Sequence, residues 1–125
     1  MILLTTDEVL LLHEKLTAVT GGSPELRDIG LLESAVQSVD AGFGDVERYP
    51  TIEEKAARLA YALVSNHAFV DGNKRVGVLA MLVTLRLNGI ELRYSQQELI
   101  ALGLGLAEGK LLTEDVVEWI ARHKG

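Results

Sequence analysis

The stretch from Val76 to Leu85 constrains the fold more than any other part of the sequence, because it is apolar on nearly every side. A helix with apolar residues all round is normally buried inside a protein. About ten residues are too few to cross a bilayer. The stretch therefore predicts a central buried helix that begins near Gly72 or Asn73 and runs to Asn88, with Gly89 just beyond its C-terminus.

Five further helices are predicted from cap residues that precede apolar residues at helical spacing. Ser or Thr three residues before Glu forms a capping box, in which each side chain bonds to the backbone of the other residue. Asp is another common N-cap. The predicted caps are Thr5, Asp28, Thr51, Ser95 and Thr113. The first helix is expected to end at about Thr20, before a run of two glycines.

The rest of the chain contains little that predicts a strand. The loop from 40 to 50 has no helical period and leaves room for a short hairpin, and Ile90 to Tyr94 is the other extended candidate. A chain of 125 residues has the usual size of one domain. We therefore predict an all-α fold with a single domain over 1–125. It is a compact bundle of about six helices around a buried central helix, with at most a short β flap.

Charge and composition exclude several classes of function. Eighteen acidic and twelve basic residues give a net charge of −6, which argues against broad binding to nucleic acid. The absence of cysteine excludes a disulfide scaffold and a thiolate zinc site. The N-terminal residues turn polar at Thr5 and lack the basic and apolar regions of a signal peptide. We expect a soluble, cytoplasmic protein that contacts neither a membrane nor nucleic acid directly.

A polar cluster between two apolar helices is the candidate for chemistry. It consists of His67 together with Asp71, Gly72, Asn73, Lys74 and Arg75. Free N–H groups and the positive end of the dipole make a helix N-terminus attractive to anions. Lys74 and Arg75 lie on the same first turn, where cations are unfavourable for the helix itself. A bound polyphosphate would explain their position, and Gly72 would let the backbone approach it closely.

Two other residues of the cluster suit roles beside such a phosphate. Asp71 is a candidate ligand of Mg²⁺, which binds one or two carboxylates together with phosphate oxygens. Histidine is the side chain that most often serves as a general base, so His67 is the natural base for a hydroxyl nucleophile.

Each of these residues also has an ordinary explanation. A histidine at a helix end is commonly a C-terminal cap, Asp-Gly is commonly a turn, and a Lys-Arg pair is commonly a solvated face. The residues alone therefore leave a phosphate site and a plain helix junction both open. Outside the cluster, His13 is interpreted as structural because leucines surround it, and Trp119 as core. His123 lies in a last helical turn, where a cation suits the dipole.

The pattern His67-x-Phe69-x-Asp71-Gly72-Asn73-Lys74-Arg75 resembles the signature of the Fic superfamily, in the form carried by the death-on-curing (Doc) toxins. The resemblance covers nearly the whole chain, since further matching segments are Leu26–Asp28, Gly30–Ala35, Tyr49–Thr51 and Leu87–Gly89. It implies the Fic helical bundle. It also implies that the loop from Gly42 to Tyr49 is a flap that holds a target segment as an added strand.

The resemblance implies a role for each residue of the motif. His67 matches the base that removes the proton from a target hydroxyl, Phe69 the hydrophobic anchor of the loop, and Asp71 the residue that holds Mg²⁺. The positions that match the cradle for the phosphates of ATP are Gly72, Asn73, Lys74 and Arg75.

Two departures from the wider superfamily imply which reaction is catalysed. Adenylyl-transferring members usually have Gly at the position of Lys74 and a second Arg at the position of Val78. Both changes are those of Doc-type members, which transfer the γ-phosphoryl group of ATP to a threonine of elongation factor Tu and inhibit translation. The resemblance thus implies a serine/threonine kinase-like phosphotransferase. Val76 stands where Doc members often have Thr, and its effect is left open.

The resemblance also bears on regulation. Leu104 stands where a self-inhibitory Fic helix would need Ser or Thr before Glu108-Gly109, so no internal inhibitor is expected. Control is then implied to come from an antitoxin whose flexible tail binds a groove of the toxin. The alternatives are a Fic-type protein adenylyltransferase and a catalytically silent Fic-fold protein that only binds partners.

Overall fold

The computed structural model describes residues 1–125 and consists of six α-helices and one small hairpin. The helices are α1 (Thr6–Thr20), α2 (Ile29–Gln37), α3 (Ile52–Asn66), α4 (Asn73–Leu87), α5 (Gln96–Ala107) and α6 (Thr113–Arg122). A 3₁₀ turn (Ser38–Asp40) follows α2. The hairpin strands are β1 (Gly42–Phe43) and β2 (Val46–Glu47). The predicted all-α bundle with a short hairpin is confirmed.

The predicted caps start four of the helices. Capping boxes at Thr5, Thr51 and Ser95 open α1, α3 and α5. The side chain of Asp28 accepts from the Leu31 N–H at the start of α2, at 3.1 Å.

The prediction that Thr113 caps α6 is wrong. Thr113 is the first residue inside the helix, where it is buried, and Leu112 is the N-cap. The Leu112 N–H is instead satisfied by the Asp115 carboxylate at 2.8 Å. Asp115 thus bonds back to the N–H of the N-cap residue, whereas the threonine hydroxyl was expected to accept from an N–H inside the first turn of the helix.

Helix α4 lies at the centre of the molecule, as predicted. Val76, Met81 and Leu85 have no measurable exposure, and α3 packs along α4 more extensively than any other helix does. The close approach depends on Gly77, because a Cβ there would lie 2.7 Å from a methyl carbon of Val64. The expectation of burial on every side needs a correction, since Leu79 and Leu82 are only half-buried and line a cavity.

Two apolar clusters make up the core, and α3 and α4 contribute to both. One cluster joins them to α1 and α2, and the other joins them to α5 and α6. Helix α6, which was expected to pack around α4, packs mainly against α3. None of the helices is long and apolar enough to cross a membrane.

The hairpin projects from the bundle and is tied to it by one lysine. Phe43 pairs with Val46 across the two strands, and the Phe43 side chain is 91% exposed. Lys55 of α3 is buried, and its ammonium group donates to the Val39 carbonyl at 2.9 Å and to the Glu47 carboxylate at 3.1 Å. The hairpin is therefore held at its base while its tip faces solvent.

The extended segment that was predicted from Ile90 to Tyr94 forms no regular strand. It pairs with the C-terminal residues through a single antiparallel bridge between Leu92 and Lys124, and the Arg93 N–H donates to the His123 carbonyl at 2.7 Å. The segment thus fixes the end of α6 close to the start of α5.

Candidate active site

One cavity of about 740 Å³ lies at the junction between α3 and α4. All six site residues predicted from the sequence line it, namely His67, Asp71, Gly72, Asn73, Lys74 and Arg75. The opposite wall is apolar and comes from α1, α4 and α5, through residues such as Leu16, Leu82 and Ile100. The cavity therefore has a charged end at the start of α4 and an apolar end further along that helix.

His67 ends α3 in a conformation that is unusual for its residue type. It has φ 50° and ψ 48°, and it is the one non-glycine residue of the chain with positive φ. The left-handed region is costly for most side chains, although histidine is among the residues enriched there. His67 is thus the C-cap of α3 and a cavity-lining residue at once, so its ordinary and its catalytic explanations are compatible.

Arg27 holds the backbone at His67. Its Nε donates to the His67 carbonyl at 2.8 Å, and its Nη2 lies 3.4 Å from the Asn66 carbonyl. A cation at the C-terminus of a helix is favourable both for the free carbonyls and for the dipole. The contact stabilises the turn that directs His67 to the cavity.

The segment after His67 is pinned to the chain between α1 and α2. The Ala68 carbonyl accepts from the Arg27 N–H at 2.7 Å and from the Asp28 N–H at 3.0 Å, and the Val70 N–H donates to the Glu25 carbonyl at 3.0 Å. These bonds give the loop between α3 and α4 a fixed backbone.

Phe69 and Asn73 lock the centre of this loop. Phe69 is buried, which confirms its expected place in the core. The Asn73 side-chain oxygen accepts from the Phe69 N–H at 3.0 Å, and the Asn73 amide donates to the Phe69 carbonyl at 2.9 Å. Both polar groups of Asn73 are thus used to shape the loop, and direct phosphate contact by its side chain stays a prediction.

The start of α4 is left open to a ligand. Its N-cap is Gly72 in the left-handed conformation with φ 78°, and no side chain bonds to the first N–H groups of the helix. In α1, α3 and α5 a capping box occupies the same positions. The free N–H groups of α4 therefore line the charged end of the cavity, where an anion would be stabilised.

Asp71 is the one carboxylate that lines the cavity. Its Oδ2 accepts from the Ser23 N–H at 3.2 Å, which uses only one of its two oxygens. No cluster of three or more acidic or histidine side chains is present that could hold a metal ion by itself. One carboxylate beside a phosphate site nevertheless fits Mg²⁺, which takes most of its remaining ligands from phosphate and water.

Lys74 and Arg75 provide positive charge without a carboxylate partner within 4 Å. Arg75 donates from Nη1 to the Thr20 hydroxyl at 2.8 Å. The Lys74 stem crosses to α5, where a Cβ on Gly103 would lie 3.0 Å from its Cγ. Two cations that no carboxylate neutralises, at the positive end of a helix dipole, form a strongly anion-attracting site.

Several residues that shape the site were not predicted to do so. His13 was interpreted only as structural, yet it contacts the backbone of Asp71, and Thr20 and Arg27 contact Arg75 and His67. These contacts join residues 40 to 58 positions apart in the sequence. Sequence patterns over a few residues do not predict these contacts, because the contacts arise from the packing of α1 and the α1–α2 loop against the motif.

The other histidine and the tryptophan lie away from the cavity. Trp119 is buried, as expected, and stacks on His123 with ring centroids 4.0 Å apart. His123 Nε2 lies 2.7 Å from the Glu98 carboxylate, and this hydrogen bond is the main cause that raises the pKa of His123. The pair links α6 to the capping box of α5.

Comparisons with known proteins point in the same direction as this geometry. The model of the Fic/DOC family matches residues 3–85. A protein named toxin Doc from Mycolicibacterium smegmatis is 44% identical over 72 residues, which are 58% of this chain and 55% of that protein. The match therefore spans about half the length of that relative. The protein kinase doc of Escherichia phage P1 is 29% identical over 122 residues, which are 98% of this chain and 95% of that protein.

Proposed function

The chain belongs to the Fic/DOC family, and on that premise we propose that it is a Doc-type toxin with protein kinase activity. It transfers the γ-phosphoryl group of ATP to a Ser or Thr hydroxyl of a translation factor and so inhibits translation. The observation that carries the proposal is the single cavity in which His67, Asp71 and the open start of α4 meet. The relative named toxin Doc supports the proposal of a toxin, and the relative named protein kinase doc supports the proposal of kinase activity.

The proposed reaction is an in-line displacement at phosphorus. The hydroxyl oxygen of the target attacks the γ-phosphorus, the bond from that phosphorus to the bridging oxygen breaks, and ADP leaves with the electron pair. His67 accepts the hydroxyl proton as the general base. Catalysis of this kind depends on positioning and on stabilising charge on the phosphoryl oxygens.

The residues of the charged end divide this work. The first N–H groups of α4, with Lys74 and Arg75, hold the phosphates, and Arg75 is suited to a bidentate contact. Asp71 would hold Mg²⁺, which would supply positive charge that offsets the negative charge of the phosphates. Asn73 acts mainly through Phe69, because its carboxamide keeps the loop in shape.

Lys74 and Val78 favour phosphoryl transfer over adenylylation. A nucleotide can present either its γ- or its α-phosphorus to the hydroxyl, and its direction in the cradle decides the product. In the adenylylating direction a polyphosphate tail would lie along the first turns of α4. Lys74 fills that space with its stem against Gly103, and the next turn offers Val78 and no cation. Protein adenylylation is therefore the second candidate.

The target and the inhibitor follow from the same premise. The resemblance to Doc toxins favours elongation factor Tu as the protein substrate, which would place the reaction in the cytoplasm. It also favours an antitoxin whose flexible tail binds a groove, and the apolar wall of the cavity beside Leu82 and Ile100 offers such a surface. No direct binding of nucleic acid is proposed.

Transfer of label from ATP tests the proposal. The purified protein is incubated with cell extract and ATP that is labelled either at the γ-phosphate or on the adenine. We expect only the γ-label to reach protein, and we expect His67→Ala to transfer it about 10²- to 10⁴-fold more slowly. Adenine label on protein would favour the adenylyltransferase. No transfer of either label, together with no growth arrest on expression without an antitoxin, would favour a silent partner-binding protein.

A further inference from the structure

His13 is a buried histidine that the proposed chemistry does not use, yet it contacts the active-site loop directly. It is 1% exposed, and its Nε2 lies 2.6 Å from the Asp71 carbonyl oxygen. A carbonyl oxygen can only accept, so Nε2 must carry the proton and donate. The two residues are 58 positions apart in the sequence, and the bond joins α1 to the loop before α4.

Two further contacts fix the ring of His13. It stacks on Phe69 with centroids 3.6 Å apart and an angle of 10° between the planes. Gly72 lies beside the ring, where a Cβ would be 3.3 Å from Nε2. The imidazole therefore packs against both Phe69 and Gly72, and these contacts leave the ring little freedom to move.

The contact bears on two groups that the proposed reaction needs. The Asp71 carbonyl is held by His13 while the carboxylate of the same residue is held by the Ser23 N–H, so the orientation of Asp71 is fixed from both ends. The carbonyl also belongs to the peptide unit that enters Gly72, the N-cap of α4, so the same bond fixes the point at which the helix begins.

We propose that His13 is a positioning residue for Mg·ATP. By donating from Nε2 to the Asp71 carbonyl, it holds the carboxylate that receives the metal and the helix start that receives the phosphates. This inference rests on the proposed function for its ligand, while the positioning of the loop does not depend on any ligand. A histidine that only filled space would be replaceable by another ring of similar size.

Three variants separate donation from packing. His13→Phe keeps the stack on Phe69 and removes the donor, whereas His13→Gln removes the ring and keeps an N–H at about the same reach. Thr17→Val is the matched control, since Thr17 is buried one turn further along α1 and its hydroxyl bonds only to carbonyls of its own helix. If His13→Phe does not fold, His13→Asn takes its place, because its shorter amide does not reach the loop.

Calorimetry with Mg·ATP and hydrogen exchange without nucleotide are measured on each protein. We expect the donor-less variant to bind Mg·ATP roughly three- to tenfold more weakly, the range that corresponds to one lost hydrogen bond. KM for ATP should rise more than kcat falls. The affinities of His13→Gln and Thr17→Val for Mg·ATP should stay within about twofold of the wild-type affinity. In the donor-less variant the amides of residues 71–75 should exchange faster, while those in the middle of α3 should not.

Equal affinity and equal exchange in wild type and donor-less variant would overturn the positioning role. If the wild type binds no Mg·ATP, the proposed function fails, and the exchange at residues 71–75 still decides whether His13 holds the loop. If His13→Gln protects residues 71–75 from exchange as the wild type does, the positioning role of His13 is supported. If His13→Gln loses as much protection there as the donor-less variant does, the positioning role is contradicted.

Discussion

His67 adopts a left-handed backbone conformation that is unfavourable for most residues, at a position that lines the cavity. Its left-handed conformation ends α3 and turns the imidazole to the cavity, and Arg27 bonds to its carbonyl. Glycine is the residue that normally occupies such a position after a helix. A histidine there is less favourable for stability than glycine, and it places an imidazole in the cavity, where we propose that it acts as the base.

Replacing His67 should therefore separate activity from stability. His67→Ala and His67→Gly should both lower the rate of phosphoryl transfer by about 10²- to 10⁴-fold, because the general base is lost. His67→Gly should be more stable than His67→Ala by about 1 kcal/mol in urea unfolding, because glycine adopts positive φ without strain. Equal stability of the two variants would contradict the account of the turn. Full activity in either would show that His67 is not the base.

Asp71 and Arg75 are expected to act on the nucleotide and not on the protein target. Asp71→Ala removes the proposed metal ligand, and Arg75→Ala removes a cation that is available for a bidentate phosphate contact. Each variant should bind Mg·ATP at least about tenfold more weakly in calorimetry, as expected for a lost charge-assisted contact. Arg86→Ala is the control, since Arg86 lies at the other end of α4 and pairs with the exposed Glu91. Affinities that are unchanged in both site variants would refute the assignment.

Single residues were predictable where their chemistry is local in the sequence. The motif from His67 to Arg75 is contiguous, and the structure places all of its predicted site residues on one cavity. The supporting contacts of His13, Thr20 and Arg27 were not predictable, because each depends on tertiary packing over 40 residues or more. Asn73 differs in part from its prediction. It lines the cavity as expected, but its side chain makes two hydrogen bonds to the Phe69 backbone that shape the loop.

At the scale of elements, α5 and α6 are joined by the pair of His123 and Glu98. The hydrogen bond to Glu98 raises the pKa of His123 above its ordinary value of 6.5. The bond from the Ser95 backbone is the main cause that lowers the pKa of Glu98 from 4.5 to about 2. A raised histidine pKa stabilises the fold below pH 6.5, and the effect is lost as the pH rises through the folded value. A lowered glutamate pKa stabilises above pH 4.5 and is lost as the pH falls toward 2.

The two shifts predict that this contact is strongest between about pH 4.5 and pH 6.5. The difference in Tm between the wild type and His123→Ala should therefore be largest near pH 5.5 and smaller at pH 9. Glu98→Gln keeps an acceptor for the Ser95 N–H but carries no charge. It should therefore lose the same pH-dependent part of the stabilisation in Tm. A difference that does not vary with pH would show that His123 contributes only through its stack on Trp119.

Helix positions were predicted well because caps and apolar spacing are local signals. The boxes at Thr5, Thr51 and Ser95 placed three helix starts correctly. Thr113 failed as a cap because the side chain is needed in the core, and Asp115 supplies an acceptor for the same end. Sequence periodicity also suggested that α4 is covered on every side, whereas α4 leaves one side open to form the cavity wall.

At the scale of the whole molecule, the arrangement of α3 and α4 explains why the site lies where it does. Both helices contribute to both halves of the core, so their junction is a rigid point of the bundle. The loop between them is bonded to α1 and to the segment before α2. A fixed loop, an uncapped helix start and an apolar wall together form the cavity in which we propose that the nucleotide binds in one direction.

The direction of the nucleotide is the central claim, and the mass of the group on the modified target tests it most directly. The target is isolated after reaction with ATP and analysed by mass spectrometry, with wild type and Lys74→Gly compared. The wild type should leave a phosphoryl group on a Ser or Thr side chain. Lys74→Gly should lose this transfer and gain at most partial adenylylation, because Val78 still provides no cation one turn along α4. An adenylyl group on the target of the wild-type protein would contradict the account.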